Sequence, residues 1–276
     1  MLPITYLRLS FPLLNVTLHQ AVILWEWRWF FITPFLVKPF LNVFALPAQR
    51  LKLFTQLFDV GFDYAITSNG AAVQDLRSNT CLFRECIPAH VAEVAYRIIR
   101  PHVSFIEWFA NGEILLAREA YEQLGTKELP PWHTFYFSKG NTPVVESAEQ
   151  YLADGAPGLE KIALVRFGRE IIAPIHEGLK ATGLFNLTDS IGRSLEVVPA
   201  NSTKVVGMRA LCRQLGTELS SCAACGDGNN DIEMLQAVGF SGAVANAKPE
   251  LKAVASCQLP AFDEDGVAYF IENYVL

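Results

Sequence analysis

The feature that most limits what this chain can fold into is its rhythm from Leu195 onward, where short apolar runs alternate with helical patterns. Leu195-Glu-Val-Val198 reads as a strand that stops at Pro199. Ser202 or Thr203 is placed to cap a helix whose apolar face is Val205, Met208, Leu211, Cys212 and Leu215, and Gly216 closes it. Ser220–Cys225 comes next as a strand, Asp231–Val238 as a helix, Gly242–Ala245 as a short strand and Pro249–Ala255 as a helix. Strands and helices in alternation imply a parallel sheet covered on both faces, an α/β protein. In such sheets ligands bind beyond the carboxyl ends of the strands.

Upstream the pattern is mixed. Ala48–Val60 has helical spacing and ends at Gly61, and Tyr64–Thr67 is a short strand leading into Ser68-Asn69-Gly70. Pro88–Arg100 reads as a helix, and Val103–Ala110 and Glu113–Ala117 as a hairpin about Asn111-Gly112. Lys161–Phe167 is a further strand, so the middle of the chain has an α+β character.

Residues 1–46 are of another kind: four charged side chains (Arg8, Glu26, Arg28, Lys38), no glycine and no aspartate, in a chain with 18 glycines. The uncharged run Leu9–Trp25 is interrupted by Pro12, Asn15, Thr17, His19 and Gln20, and fits neither a spanning helix nor a secretory leader. Membrane association is therefore not expected and a cytoplasmic location is the default. A net charge of −6 argues against a nucleic-acid partner, because phosphate neutralisation needs a basic surplus. With 51% hydrophobic and 18% charged residues the chain is not a disordered one. Six cysteines are too sparse for a disulfide scaffold, and Cys222-Ala-Ala-Cys225 reads as part of a buried strand.

Chemistry concentrates in Gly226-Asp227-Gly228-Asn229-Asn230-Asp231, at the end of a strand and the start of a helix. Two carboxylates on a glycine-rich turn are suited to Mg²⁺, and helix-start amides to a phosphate. The same residues also make an ordinary capped turn, with Asn230 as N-cap and Glu233 completing a capping box. Lys204, in the first turn of the preceding helix, favours the first reading. An ammonium at the positive end of a helix is poorly matched unless an anion lies nearby. With no metal or phosphate bound, Lys204 is expected to pair with Asp227.

The succession Ser68-Asn69-Gly70-Ala71, Leu195-Glu-Val-Val-Pro199 with Lys204, Gly226–Met234 and Asp265-Gly266-Val267-Ala268 resembles the Cof-type sugar phosphatases of the haloacid dehalogenase superfamily. The resemblance covers residues 47–276 and implies a Rossmann-like parallel-sheet core with an inserted α+β cap domain. It implies a core of 47–78 and 194–276 and a cap of 79–193, after an atypical segment 1–46. It also implies Mg²⁺-dependent hydrolysis of small phosphorylated metabolites through an aspartyl phosphate. Carried over by residue, Lys204 binds phosphate, Asn230 lies near the phosphoryl group, Asp227 and Asp231 serve the metal, and Ser68, Asn69 and Gly70 border the substrate. Glu107, Trp108, Trp132, His133 and Tyr136 are the cap's candidate contacts.

The family's first motif, an apolar strand ending in Asp-x-Asp-Gly-Thr, has no counterpart, because the first aspartate of the chain is Asp59. Removing a covalent nucleophile cost another enzyme about 10⁴–10⁶ in rate. Asp263-Glu-Asp265-Gly266 is better read as an N-cap, Asp265, than as that motif. The central strand would be missing unless Ile4–Leu9 or Ala21–Trp27 replaces it, and Asn42–Ala45 could supply the second motif's strand. Residues 1–46 are accordingly expected to be foreign to the fold, from a shifted reading frame, a misassigned start or a fusion. Three functions remain: a phosphatase, an inactive homologue that binds phosphometabolites, and a protein anchored to membranes by its aromatic N-terminus.

Overall fold

The computed structural model describes residues 21–25, 40–44, 63–125, 137, 142–165, 167–189 and 194–275. The helix expected over Ala48–Val60 and the strand Ile4–Leu9 lie outside these residues. So do Trp132, His133 and Tyr136.

In chain order the strands are β1 (Ala21–Trp25), β2 (Phe40–Phe44), β3 (Tyr64–Thr67), β4 (Ala72–Asp75), β5 (Thr80–Arg84), β6 (Glu107–Ala110) and β7 (Glu113–Ala117). They continue as β8 (Val144–Val145), β9 (Leu159–Val165), β10 (Phe185–Asp189), β11 (Ser194–Pro199), β12 (Ala223–Gly226), β13 (Phe240–Val244) and β14 (Cys257–Leu259). The helices are α1 (Ala89–Ile99), α2 (Arg118–Glu122), α3 (Ala148–Ala153), α4 (Arg169–Thr182), α5 (Lys204–Leu215), α6 (Ile232–Ala237), α7 (Pro249–Val254) and α8 (Gly266–Phe270).

Among the described residues the strands form two sheets, of eight and six strands. The first has the order β14-β13-β12-β1-β2-β3-β4-β5. Its first six strands are parallel, and β4 and β5 are added antiparallel at one edge. Its core joins Ile66 and Val73 to Met208, Leu211, Met234, Leu235, Leu251 and Phe270, so α5, α6, α7 and α8 are held by the apolar stripes that the sequence pattern supplies. Residues 1–46, set apart by composition, thus contribute two strands to the middle of the sheet. β1 takes the central place between β12 and β2, and β2 includes three of the four residues of the proposed second-motif strand.

The second sheet has the order β10-β11-β9-β6-β7-β8. Its Asn111-Gly112 hairpin has φ of 54° and 79° at the two turn residues, the left-handed pair that a two-residue hairpin requires. Helices α1 and α4 cover one face through Ala92, Ala95, Ile99, Ile172, Ile175 and Leu179, packed on Trp108, Ile162, Leu164, Leu195 and Val197. Alternation turns Phe109, Lys161, Ala163 and Glu196 to the other face. Trp108 is therefore a core residue, 1% exposed and edge-on to Tyr151, not a contact for a ligand.

Two strands lie in the other sheet from the one that their neighbourhood suggests. Leu195–Val198, read as the first strand of the parallel unit, belongs to β11 and pairs antiparallel with β10 and β9. β5, assigned by sequence to the inserted segment, comes after β4 through a short turn and pairs back on it in the first sheet. In both cases the nearest strand in the chain is the partner, and local antiparallel closure prevails over the alternating rhythm. The chain therefore changes sheets between Arg84 and Ala89, and again between Pro199 and Lys204.

Candidate functional site

β1, β2 and β3 extend the first sheet in one direction and β12, β13 and β14 in the other, so the strand order reverses between β1 and β12. Such a switch point opens a crevice at the carboxyl ends of the two strands. β12 runs there into the acidic turn, and β1 is succeeded in the chain by Glu26-Trp27-Arg28.

The acidic turn folds about Asp231, which is 2% exposed. Its Oδ2 accepts the backbone N–H of Asp227 at 3.1 Å and of Gly228 at 3.0 Å, while Oδ1 receives Lys204 Nζ at 2.6 Å. A Cβ at Gly226 would lie 2.6 Å from the Asp231 carboxyl carbon, so glycine at the end of β12 is what lets the carboxylate fold back. Lys204 is 3% exposed and opens α5. The expected partner, Asp227, is thus displaced by Asp231, because Asp231 stands at the helix start where its carboxylate also collects the turn's amides. The capping box of Asn230 and Glu233 does not form. Asn229–Asp231 is instead a single 3₁₀ turn with Asp231 at the N-cap of α6, and Asn230 bends back over Gly228.

Asp227 is half-buried, and that burial raises its carboxyl above the usual aspartate range. The Asp231 charge adds to the rise, while Lys204 and Lys248 oppose it. Lys248, just before α7, is a neighbouring cation that sequence spacing did not single out. Asp265, the other acid considered, stands at the N-cap of α8 with φ 58° and no side-chain cap bond.

The turn after β3 is held from two sides. Gly70 has φ +99°, and a Cβ there would lie 1.9 Å from the Thr203 carbonyl, so the turn meets the start of α5 backbone to backbone. Ser68 and Asn69 both adopt left-handed φ, 51° and 53°, costly for residues with a Cβ. Both side chains reach carboxylates of the second sheet. Ser68 Oγ donates to Glu160 at 2.9 Å, and Asn69 Nδ2 donates to Glu196 at 2.8 Å. Glu160 also accepts from Arg84 Nε at 2.8 Å, and Glu196 from Lys161 Nζ at 2.5 Å. Burial pushes the Glu160 carboxyl up, against Arg84 and Ser68. Sequence reasoning missed Glu160, Lys161 and Glu196. The available signal was charge inside otherwise apolar strands, Glu160-Lys161 before Ile-Ala-Leu-Val and Glu196 between Leu195 and Val197.

Buried polar atoms without a hydrogen-bond partner mark the same place. Of the four among the described residues, three belong to Thr67, Asn69 and Thr203, on the two segments that meet at Gly70. Leaving such a group unsatisfied costs about 1–3 kcal/mol, so their grouping here fits a site that a polar ligand completes. Thr203, although N-cap of α5, makes no side-chain cap bond.

Mg²⁺ takes one or two carboxylates and completes its shell with water and phosphate oxygens. Asp227 fits that role, since a cation would offset the desolvation of its carboxylate. Both oxygens of Asp231 have donors already, which makes it the group that shapes the turn beneath Asp227. Among the described residues no three His, Cys, Asp or Glu side chains gather as a metal centre.

Fold and site together define a doubly wound α/β protein with an acidic turn and a lysine at its switch point and a second sheet inserted in the chain. The chain belongs to the haloacid dehalogenase-like hydrolases, whose pattern matches residues 48–271. An HMP-PP phosphatase from Escherichia coli O157:H7 is 29% identical over 217 residues, 76% of this chain and 73% of that protein. Other curated relatives are matched over only 24%, 31% and 42% of their length, so the chain spans less than half of those proteins. Among solved structures, a haloacid dehalogenase-like hydrolase from B. subtilis superposes with a TM-score of 0.71 at 20% identity, covering 86% of this chain and 87% of that one. A sugar phosphatase of HAD subclass IIB superposes with a TM-score of 0.65 at 18% identity, covering 86% and 85%. No helix among the described residues is long and apolar enough to cross a membrane.

Proposed function

We propose that this chain binds small phosphate monoesters such as sugar phosphates, with Mg²⁺, at the carboxyl ends of β12 and β3, and that it hydrolyses them poorly or not at all. The observation that carries the binding half is the buried Lys204–Asp231 pair at the start of α5. There an ammonium and a helix N-terminus face the crevice where a phosphate would sit. Lys204 neutralises the phosphate, Asp231 holds Lys204 and the turn in place, and Asp227 holds the metal. Bound there, Mg²⁺ supplies positive charge to the phosphoryl oxygens. The second sheet, in the role of a cap, covers the ester's organic part, and Ser68 and Asn69 of the turn after β3, bonded to its Glu160 and Glu196, border it. The catalytic half is limited by the residues next after β1. The family's covalent step needs an aspartate there, and the chain carries Glu26-Trp27-Arg28.

The test is paired. Calorimetric titration with inorganic phosphate and Mg²⁺ is expected to show binding that Lys204→Met abolishes. Hydrolysis of p-nitrophenyl phosphate is expected to be the same in the wild type and Asp227→Ala. Absence of phosphate binding overturns the site, and a wild-type rate well above that of Asp227→Ala overturns the claim of impaired catalysis.

A further inference from the structure

An asparagine side chain presents an oxygen on one side and an NH₂ on the other, and only its neighbours decide which way it faces. Asn69 is 4% exposed, with Nδ2 2.8 Å from Glu196 Oε2 and 3.3 Å from Thr188 Oγ1. Its Oδ1 has no partner. Glu196 is itself 7% exposed, and Lys161, 1% exposed at its side chain, donates to its other oxygen at 2.5 Å. The Lys161 ammonium also lies 4.0 Å from the centre of the ring of Phe109, its cross-strand neighbour on the same face. Register makes this an ordered row. Ala163 pairs with Glu196 and Lys161 with Phe109, so Lys161 and Glu196 are diagonal neighbours on the face opposite α1 and α4. A carboxylate in contact with an ammonium offers only acceptors, so it admits the NH₂ of Asn69 and rejects its oxygen.

We propose that Lys161 and Glu196 are positioning residues that lock the Asn69 amide with its oxygen toward the ligand, so that the site selects phosphate esters whose organic part carries a hydroxyl or ammonium donor. The inference rests on the phosphate site described above and deepens it by naming what the ester must offer beside its phosphate. The unpartnered Asn69 oxygen is the acceptor waiting for that donor, with Thr67 Oγ1 and Thr203 Oγ1 nearby in the fold as further polar atoms without partners. A site built to hydrogen-bond a substrate hydroxyl rejects the analogue that lacks it, because its own polar atom is then left unpaired.

The experiment is calorimetric binding to the full chain with Mg²⁺, using inorganic phosphate, glycerol phosphate and propyl phosphate. The last two share a three-carbon frame and differ in hydroxyls. The wild type is expected to bind glycerol phosphate at least about tenfold more tightly than propyl phosphate, a difference of about 1.4 kcal/mol. Glu196→Gln allows the amide to turn over and is expected to shrink that ratio below about threefold, with inorganic phosphate bound as in the wild type. Lys161→Met with Glu196→Gln removes both charges together and is expected to do the same should the single variant fail to fold. Equal wild-type affinity for the two esters overturns the inference, as does a ratio unchanged in the double variant. Loss of inorganic phosphate binding in the wild type overturns instead the phosphate site on which it rests. A purely structural role for the pair would weaken all three ligands together and leave the ratio intact.

Discussion

Replacing Asp231 by asparagine tests how the site is built, because the change keeps the side chain's shape while removing its charge and one of its two acceptor oxygens. Asp231 does three things at once. It pairs with buried Lys204 at 2.6 Å and accepts the N–H groups of Asp227 and Gly228 at 3.1 and 3.0 Å. Removing one partner of a buried ion pair costs about 3–5 kcal/mol, since the ammonium is left without a counter-charge. Where the asparagine oxygen stays on the turn, the two amide bonds survive in weaker, neutral form, losing about half of a charge-assisted bond's strength of ~1.5–3 kcal/mol each. These losses overlap, because the asparagine oxygen can serve either the lysine or the amides, so the expected total is about 4 kcal/mol. Against a usual domain stability of ~5–15 kcal/mol that is a large share. With a urea slope of ~3 kcal/mol/M, the midpoint falls by more than about 1 M. The double variant Lys204→Met, Asp231→Asn isolates the pair. It is expected to be more stable than the sum of the single losses by about 2 kcal/mol or more. A midpoint shift under about 0.3 M, or strictly additive losses, would refute the reasoning.

Gly70→Ala combines a forbidden φ with a Cβ placed 1.9 Å from the Thr203 carbonyl; a destabilisation above about 2 kcal/mol is expected in urea unfolding, with weakened phosphate binding. Trp108→Ala, in the core of the second sheet, is expected to cost about 3–5 kcal/mol and leave phosphate affinity unchanged if the protein remains folded. For Glu160 the sign comes from burial, which raises its carboxyl above the ordinary 4.5 in the folded chain. The folded state then holds its proton more tightly than the unfolded one, so this group's contribution is greatest below about pH 4.5 and declines as pH rises toward the folded value. The melting temperature of the wild type minus that of Glu160→Gln should therefore fall as pH rises above about 4.5, and a difference that grows with pH would contradict the assignment. Translating the encoding DNA in its other two frames upstream of codon 47 tests the shifted-frame origin of residues 1–46, which predicts an Asp-x-Asp-Gly-Thr there.

Legibility in the sequence tracked the range of the interactions. The helix Lys204–Leu215, the turn Asn111-Gly112 and the strand Tyr64–Thr67 rest on neighbours a few residues apart, and all three lie where their patterns place them. Lys204 and the acidic turn were legible as a group because the alternating pattern brings strand ends to one edge. Which carboxylate the lysine meets was not, because that depends on how Asp231 folds back past Gly226. Sheet membership failed at β5 and β11 for a related reason: periodicity says that a strand exists and which face is apolar, but not which edge it joins. The row of Glu196, Lys161 and Asn69 joins residues up to 127 positions apart, and no local pattern reports such a contact.

The central strand separates what a fold requires from what its chemistry requires. The place between β12 and β2 asks for a short β-forming run that can be buried on both faces, and Ala21-Val-Ile-Leu-Trp25 satisfies that with no charged residue. Many sequences would do so, because hydrophobic burial depends on area rather than on a particular atom. The covalent chemistry of the family depends on one carboxylate at one position beyond that strand, and no degree of burial substitutes for it. A chain can therefore keep the sheet, the crevice and the buried lysine at its edge while losing the reaction. In this chain the two demands part after Trp25: β1 serves the sheet, while the sequence goes on as Glu26-Trp27-Arg28 and has no aspartate before Asp59. Binding without turnover is the expected behaviour, and the titrations and rate comparison above measure its two halves separately.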